Sequence, residues 1–354
     1  PQNLGESAAA AAIQPFVDAV ASAGLGIEFP SVDDAGNPIP RFSRITGWDV
    51  ATTYLGGHDL DVFVGYGSPD FSKDNWLNDE DLFGFGFEGV TFGYAAMDST
   101  TPKPLRALAG NALNRFFAAT LTAEQAAFVG GGDWFELTAT GFELQWNDNI
   151  GRWPLGMGPA VVDWAVTFPA VDSDLDGTME PVGKPIRTGA KDSNGKDILV
   201  YMGHDGNQRQ ALGVQHASVT IADFIHMDGS FYFEKGPQQK ITIATGLPQN
   251  LGESAAAAAI QPFVDAVASA GLGIEFPSVD DEGNPIPRFS RITGWDVATT
   301  YLGGHDLDVF VGYGDPDFSK DNWLNDEDLF GFGFEGVTFG YAAMDSTTPK
   351  PLRA

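Results

Sequence analysis

The sequence predicts a mainly β protein: an elongated tandem-repeat array with a continuous antiparallel-rich or solenoid-like sheet and a few helices packed on it. Three observations carry that expectation. The stretch "PQNLGESAAAAAIQPF" stands at residues 1–16 and again at 248–263, and the match runs on to residue 354 with two differences, Ala35 against Glu282 and Ser68 against Asp315. Self-similarity at a fixed period is the mark of an array. Apolar and polar residues alternate over several long segments, the period of a half-buried strand. Gly 44 and Phe 27 are both high while Lys+Arg is only 19, a composition of ordered β structure and not of a disordered tail.

The repeat divides the chain into one complete unit, 1–247, and the first part of a nearly identical second unit, 248–354. Each unit is large enough to hold a core. Neither end carries the atypical capping repeat that stacked arrays need, so the sequence reads as a window of a longer array, with a single duplication as the alternative. Sheet edges at the end of one unit are expected to pair with the start of the next. Both differences put an acid in a turn, where no packing is at stake.

Taken in order, "SAAAAAIQPFVDAVASAG" predicts a helix capped by Ser7 and stopped at Gly24, with Pro15 kinking or restarting it. Ile13, Phe16, Val17 and Val20 share one face. A second helix is predicted at 104–118, with Leu105, Leu108, Leu113 and Phe116 at packing spacing, and a short third at 122–129 behind Thr122. Strands are predicted in "HDLDVFVGYG", where Leu60, Val62, Val64 and Tyr66 share a face, and in "WFELTATGFELQW", "AVVDWAVTF", "ASVTIADFIHMDGSFYFEK" and "KITIAT". The segment "FGFGFEGVTFGYAAM" places Phe83, Phe85 and Phe87 on one face with Gly84 and Gly86 between them, and Gly in a strand lets another group lie flush on it. The Phe strip reads either as a carbohydrate-stacking strip or as an aromatic core layer with a second sheet behind it. The core layer is favoured, because exposed apolar patches of that size are rare.

The order of segments "ASVTIADFIHMDGSFYFEK", "ITGWDVATTYLGGHDLDVFVGYG", "NWLNDEDLFGFGFEGVTFGYAAM", "RFFAATLTAEQAAFVGGGDWFELTATGFELQWNDN" and "AVVDWAVTF" resembles the long repeats of very large bacterial surface proteins, the LEPR-XLL-type giant proteins. The resemblance covers most of the unit and is one of pattern; the N-terminal motif itself is absent. It implies a secreted or surface-attached structural role.

Charge narrows the partners. Asp+Glu 48 against Lys+Arg 19 gives a net charge of −29, which argues against nucleic acid and against anionic membranes. No stretch is long and apolar enough to cross a membrane as a helix. Cys is 0, so thiolate metal sites and disulfides are out.

Calcium is the cofactor such a chain invites. "DSDLDGTME" sets Asp172, Asp174 and Asp176 on alternate residues before Gly177, with Glu180 able to complete a site, though Gly183 stands where an EF-hand needs Glu. Asp74, Asn78, Asp79, Glu80 and Asp81 form a weaker cluster, and Asp192, Asn194 and Asp197 a third. His58, His204, His216 and His226 are scattered with no HExxH, against zinc. No nucleophile elbow or P-loop is present, and Ser193 to Lys196 fits S-x-x-K by letter only. The expected function is therefore structural and not enzymatic: a repeat of an extracellular bacterial fibre, stalk or filament whose partners are neighbouring copies of itself. The alternative is a calcium- or glycan-binding adhesin repeat, using the acidic loops and Trp48, Trp76, Trp134, Trp146, Trp153 and Trp164.

Overall fold

The computed structural model describes residues 8–28, 44–79, 81–151, 160–172, 177–248, 273–275, 289–320 and 322–347, with Pro262, Asp265 and Val267. In chain order the elements are α1 (Ala8–Ser22), β1 (Gly26–Glu28), β2 (Arg44–Thr46), β3 (Val50–Tyr66), β4 (Phe83–Ser99), α2 (Lys103–Leu108), β5 (Arg115–Val129) and β6 (Phe135–Asn149). They continue with α3 (Trp164–Thr167), β7 (Lys184–Lys191), β8 (Asp197–Met202), β9 (Arg209–Ile221), β10 (Ile225–Pro248), β11 (Gly273–Glu275), β12 (Phe289–Tyr313) and β13 (Phe330–Ser346).

One nine-stranded sheet dominates, in the spatial order β3-β4-β5-β6-β9-β10-β12-β13, with β11 pairing the start of β12. Every neighbouring pair is antiparallel. The protein is thus mainly β and antiparallel, as expected. The solenoid-like alternative does not form: most consecutive strands are hairpin neighbours, and short connections lay a meander down in one open plane.

The two faces differ in kind. Over β3–β5 one face is covered by the β7–β8 hairpin, α1, α2 and the α3 segment, around a core of Phe16, Val20, Met97, Phe116, Trp164 and Met202. The hairpin lies close because Gly56 and Gly93 stand beneath it: a Cβ on Gly56 would come 2.5 Å from the carbonyl oxygen of Arg187, and one on Gly93 2.9 Å from Val200. Farther along this face a 3-10 turn, Trp76–Asn78, is anchored by Trp76 at 2% exposure. The Trp76 ring lies against Gly86, where a Cβ would be 2.7 Å from it.

The opposite face is apolar in its middle rows from β3 to β13, with Asp98, Arg115, Asp148 and Lys235 at one end. Antiparallel partners share a face, so the register defines rows that cross the strands. One row runs Phe92, Leu121, Leu144, Leu212, Phe233 and Leu302, ending at Tyr341. Another runs Phe85, Phe128, Leu137, Val219, Met227 and Val309, between Val64 and Phe334. On β6 the alternation is plain: Leu137, Ala139 and Phe142 face one way, while exposed Glu136, Thr138 and Glu143 face the other.

A crease crosses the sheet between these rows. Asp59 on β3, Gly89 on β4, Gly141 on β6, Gly229 on β10, Asp306 on β12 and Gly336 on β13 all have positive φ, and the ladders skip residues at the same height on each strand. Such bulges increase local twist and bend the strand. Gly89, at φ 62°, also leaves room for Glu124, whose Cγ would lie 2.7 Å from an added Cβ.

Several expectations need correction. Residues 122–129, expected as a helix, lie within β5, and the helix expected at 104–118 is only α2, its last residues entering the same strand. Ala and Glu favour helix locally, but pairing with β4 on one side and β6 on the other overrides that preference. "AVVDWAVTF" is a capped helical turn and not a strand: Asp163 Oδ1 accepts from the Val166 amide at 3.1 Å, and buried Trp164 donates to Asn147 Oδ1 at 3.3 Å. The Phe strip is not a core layer of this chain either. Phe83 and Phe85 are 55% and 47% exposed, and the covering elements lie on the glycine side. α1 ends at Ser22 and the chain turns at Gly24, the expected stop, with φ 73°; the helix buries Phe16 and Val20. Ser7 and the side chains of Ile13 and Leu105 lie outside the described residues.

Candidate functional site

The two sequence copies meet at β10 and β12. β10 closes the first copy, β12 belongs to the second, and they pair antiparallel from Ile225↔Val311 to Pro248↔Phe289. Backbone pairing is therefore continuous across the boundary between residues 247 and 248.

Side chains reinforce this seam. Ser230 Oγ donates to the carbonyl oxygen of His305 at 2.9 Å, and Gln239 Nε2 donates to the Tyr301 hydroxyl at 2.8 Å. Beyond the β9–β10 turn, the Gly312 amide donates to the Phe224 carbonyl at 2.9 Å, and the Phe224 and Tyr313 rings meet edge to face at 5.5 Å. Buried His226 packs against Phe310 of the second copy at 6.0 Å. Ile241 and Ile243 from the first copy join Val267, Ile292, Trp295 and Val297 from the second in one apolar cluster. Gly229 is required by contact and by backbone: its φ is 142°, and a Cβ there would come 2.6 Å from the Asp306 carbonyl oxygen.

The seam also holds two opposed carboxylates. Asp228 stands directly across from Asp308. Burial pushes the Asp228 carboxyl above its ordinary range and Asp308 adds to this, against the pull of His216, whose Nε2 lies 3.2 Å away.

The chain contains its own comparison. β3 has the same sequence as residues 297–313 of β12, but β3 is an edge strand while β12 lies between β10 and β13. Thr52 is exposed and Thr299 is 1% exposed; Val50 is half-buried and Val297 is 2% exposed. Val297 owes part of that burial to Ile241 and Ile243 of β10, which pack on its cluster.

The predicted metal ligands are placed less tightly. Asp172 Oδ2 accepts from the Gly177 amide at 3.0 Å, while its shielded Oδ1 has no hydrogen-bond partner among the described residues. Glu180 follows nearby, its amide donating to Val171 at 2.8 Å; Asp174 and Asp176 lie outside the described residues. In the second cluster Asp79 Oδ1 accepts from the Asp81 amide at 3.1 Å, and the same bond recurs as Asp326 to Asp328 at 3.0 Å. That segment is a turn held by Trp76, with Asn78 at its end and Asp74 just before it; Glu80 lies outside the described residues. Asp192 accepts from the Asn194 and Lys196 amides, both at 2.8 Å, and Asp197 pairs with Lys191 at 2.8 Å, so the third cluster closes the β7–β8 hairpin. Among the described residues no three His, Asp or Glu side chains converge on one point suited to a metal. Trp76 and Trp164 are buried in cores, Trp48 donates to Ser99 Oγ at 2.9 Å, and Trp134 and Trp146 are exposed; Trp153 lies outside the described residues. No helix among the described residues is long and apolar enough to cross a membrane.

The repeat foretells pairing at the seam but not its members. Gly229, Ser230, His226 and Gln239 carry no sequence signal that singles them out. The β7–β8 hairpin does have one: Asn194-Gly195 between alternating segments is a strong hairpin turn signal. No family model matches the chain, and neither a curated protein nor a solved structure matches it.

Proposed function

We propose that this chain is a structural repeat of an extracellular bacterial fibre, stalk or filament, built by stacking near-identical acidic β-rich units in tandem. The single observation that carries the reading is the β10–β12 ladder, because it makes two copies one sheet. A unit whose last strand is completed by the first long strand of the next has no natural stopping point, and each addition covers an otherwise unpaired edge. The net charge of −29 keeps such polymers apart in solution. The resemblance to giant bacterial surface repeats supports the extracellular setting. The reading assigns no catalytic residues.

The test compares the 247-residue unit alone with three units joined in one chain. The joined chain should be more stable per residue and melt as one transition, and electron micrographs should show a regular axial repeat. Equal melting of the two, with beads on slack tethers in the micrographs, sinks the reading.

A calcium-binding adhesin repeat is the second reading, and the shielded Asp172 Oδ1 is the observation that favours it. Calorimetric titration with calcium decides: heat that Asp172→Asn abolishes supports it, and no heat removes it.

A further inference from the structure

We infer that the uncovered apolar face of the sheet is the contact between two copies of this chain, laid sheet on sheet. A sheet with one apolar face buries that face on another layer, and among the described residues no element lies over this one. Ala126, Ala139 and Ala217 at its centre are shielded only by large neighbours in the same face, including Phe87, Phe142 and Phe231. Beside them a shallow hollow of about 500 Å³ opens between Phe142, Val214, Phe231 and Phe339.

The face is broad and open: Val64, Phe83, Phe85, Phe332, Phe334 and Tyr341 are all exposed.

The face itself indicates its occupant. It continues unbroken through the seam, and Phe83, Phe85 and Phe92 of the first copy recur as Phe330, Phe332 and Phe339 of the second. A covering partner must therefore repeat with the same spacing, which a second copy does, and a self-complementary patch is what a two-fold contact needs. Charge permits the pairing. The two apolar rows contain no charged residue, and Glu136, Glu143 and Glu234 stand on the other face. The carboxylates on this face, Asp98, Asp148 and Asp345, lie at one end, where Asp98 is paired with Arg115 and Asp148 with Gln208 and Gln210, so the rows of like-charged chains can meet. This goes beyond the seam: the seam joins copies along one sheet, and this contact doubles the sheet.

The test uses the 354-residue chain. Sedimentation should give at least twice 37.7 kDa, Leu144→Glu should return it to monomer, and Thr138→Glu on the opposite face of β6 should leave the assembly unchanged. Because Leu144→Glu could unfold the sheet, Leu144→Cys supplies a second readout in a chain that has no other thiol: a spin label there should report a second label in close range. A monomeric wild-type chain, an assembly that survives Leu144→Glu, or labels out of range of each other overturns the inference. So does flotation of the chain with phosphatidylcholine vesicles, which would make lipid the cover. Protection of the β10–β12 amides from hydrogen exchange reads the seam separately, so failure of one contact is distinguishable from failure of the other.

Discussion

Leu60 and Leu307 are one residue of the repeat in two environments: 41% exposed on the edge strand β3, and 3% exposed on β12, where Gly229 of β10 lies against its side chain. Local sequence, strand type and the β4 or β13 partner are the same for both. Leu307→Ala should therefore cost about 2–5 kcal/mol, the range for a buried Leu, and Leu60→Ala less than about 1 kcal/mol. Urea unfolding of the two variants checks it. Equal losses would mean that β10 contributes nothing to the burial of its neighbour.

Gly229→Val should open the seam. The side chain would meet the Asp306 carbonyl and would have to adopt a φ of 142°, which a β-branched residue avoids. The expected result is loss of hydrogen-exchange protection along β12 and β13, while the β7–β8 hairpin keeps its own. Unchanged protection in β12 would show that the ladder tolerates a side chain there.

Stability should fall as the solution is acidified through the histidine range. His204 is 6% exposed, and burial holds its imidazole below its ordinary value; Thr120 Oγ1 is its side-chain neighbour at 3.2 Å. The unfolded chain thus binds a proton that the folded one refuses. Below the unfolded value of about 6.5, folding loses free energy until the lowered folded value is reached, at a slope of at most about 1.4 kcal/mol per pH unit. His204→Gln should flatten that slope in urea titrations between neutral and mildly acidic pH. A slope that the variant leaves intact would assign it to another group.

Glu88 gives the opposite sign. Burial raises its carboxyl, and Asp61, Asp74 and Glu124 add to the shift. The folded chain therefore holds the proton more tightly than the unfolded one, and stability declines as pH rises through the carboxylate range before levelling off. Glu88→Gln should raise Tm at pH 7, and the gain should vanish in acid, where the wild-type carboxyl is protonated in both states. An unchanged Tm at neutral pH would remove the repulsion from the account.

What could be read before the fold was known follows from where the information lies. Alternation marked β6, β9 and β10 because each has one apolar and one polar face. The same logic failed at residues 160–168, where alternating letters belong to a loop fixed by Asp163 and by Asn147, whose Nδ2 donates to Val162 and Asp205, both at 3.0 Å. It failed again at 122–129, where local preference says helix and two flanking strands say otherwise. For the Phe strip, periodicity told which residues share a face but could not tell which face the rest of the chain covers. At the candidate site the repeat required a seam, yet the register hangs on bulges such as the one at Gly229, whose placement depends on strands far apart in the sequence. The two differing pairs divide: Ser68 and Asp315 are exposed, so the exchange disturbs nothing, and Ala35 and Glu282 lie outside the described residues.

The crease through Asp59, Gly89, Gly141, Gly229, Asp306 and Gly336 is written into backbone torsions and passes from one copy to the next without a break. If units stack as proposed, curvature is inherited, since every unit added to the ribbon would turn by the same increment about the same hinge line. A handful of residues, four of them Gly, would then set the coil and pitch of a very long object, and a change repeated at one of them in every copy would alter that pitch throughout.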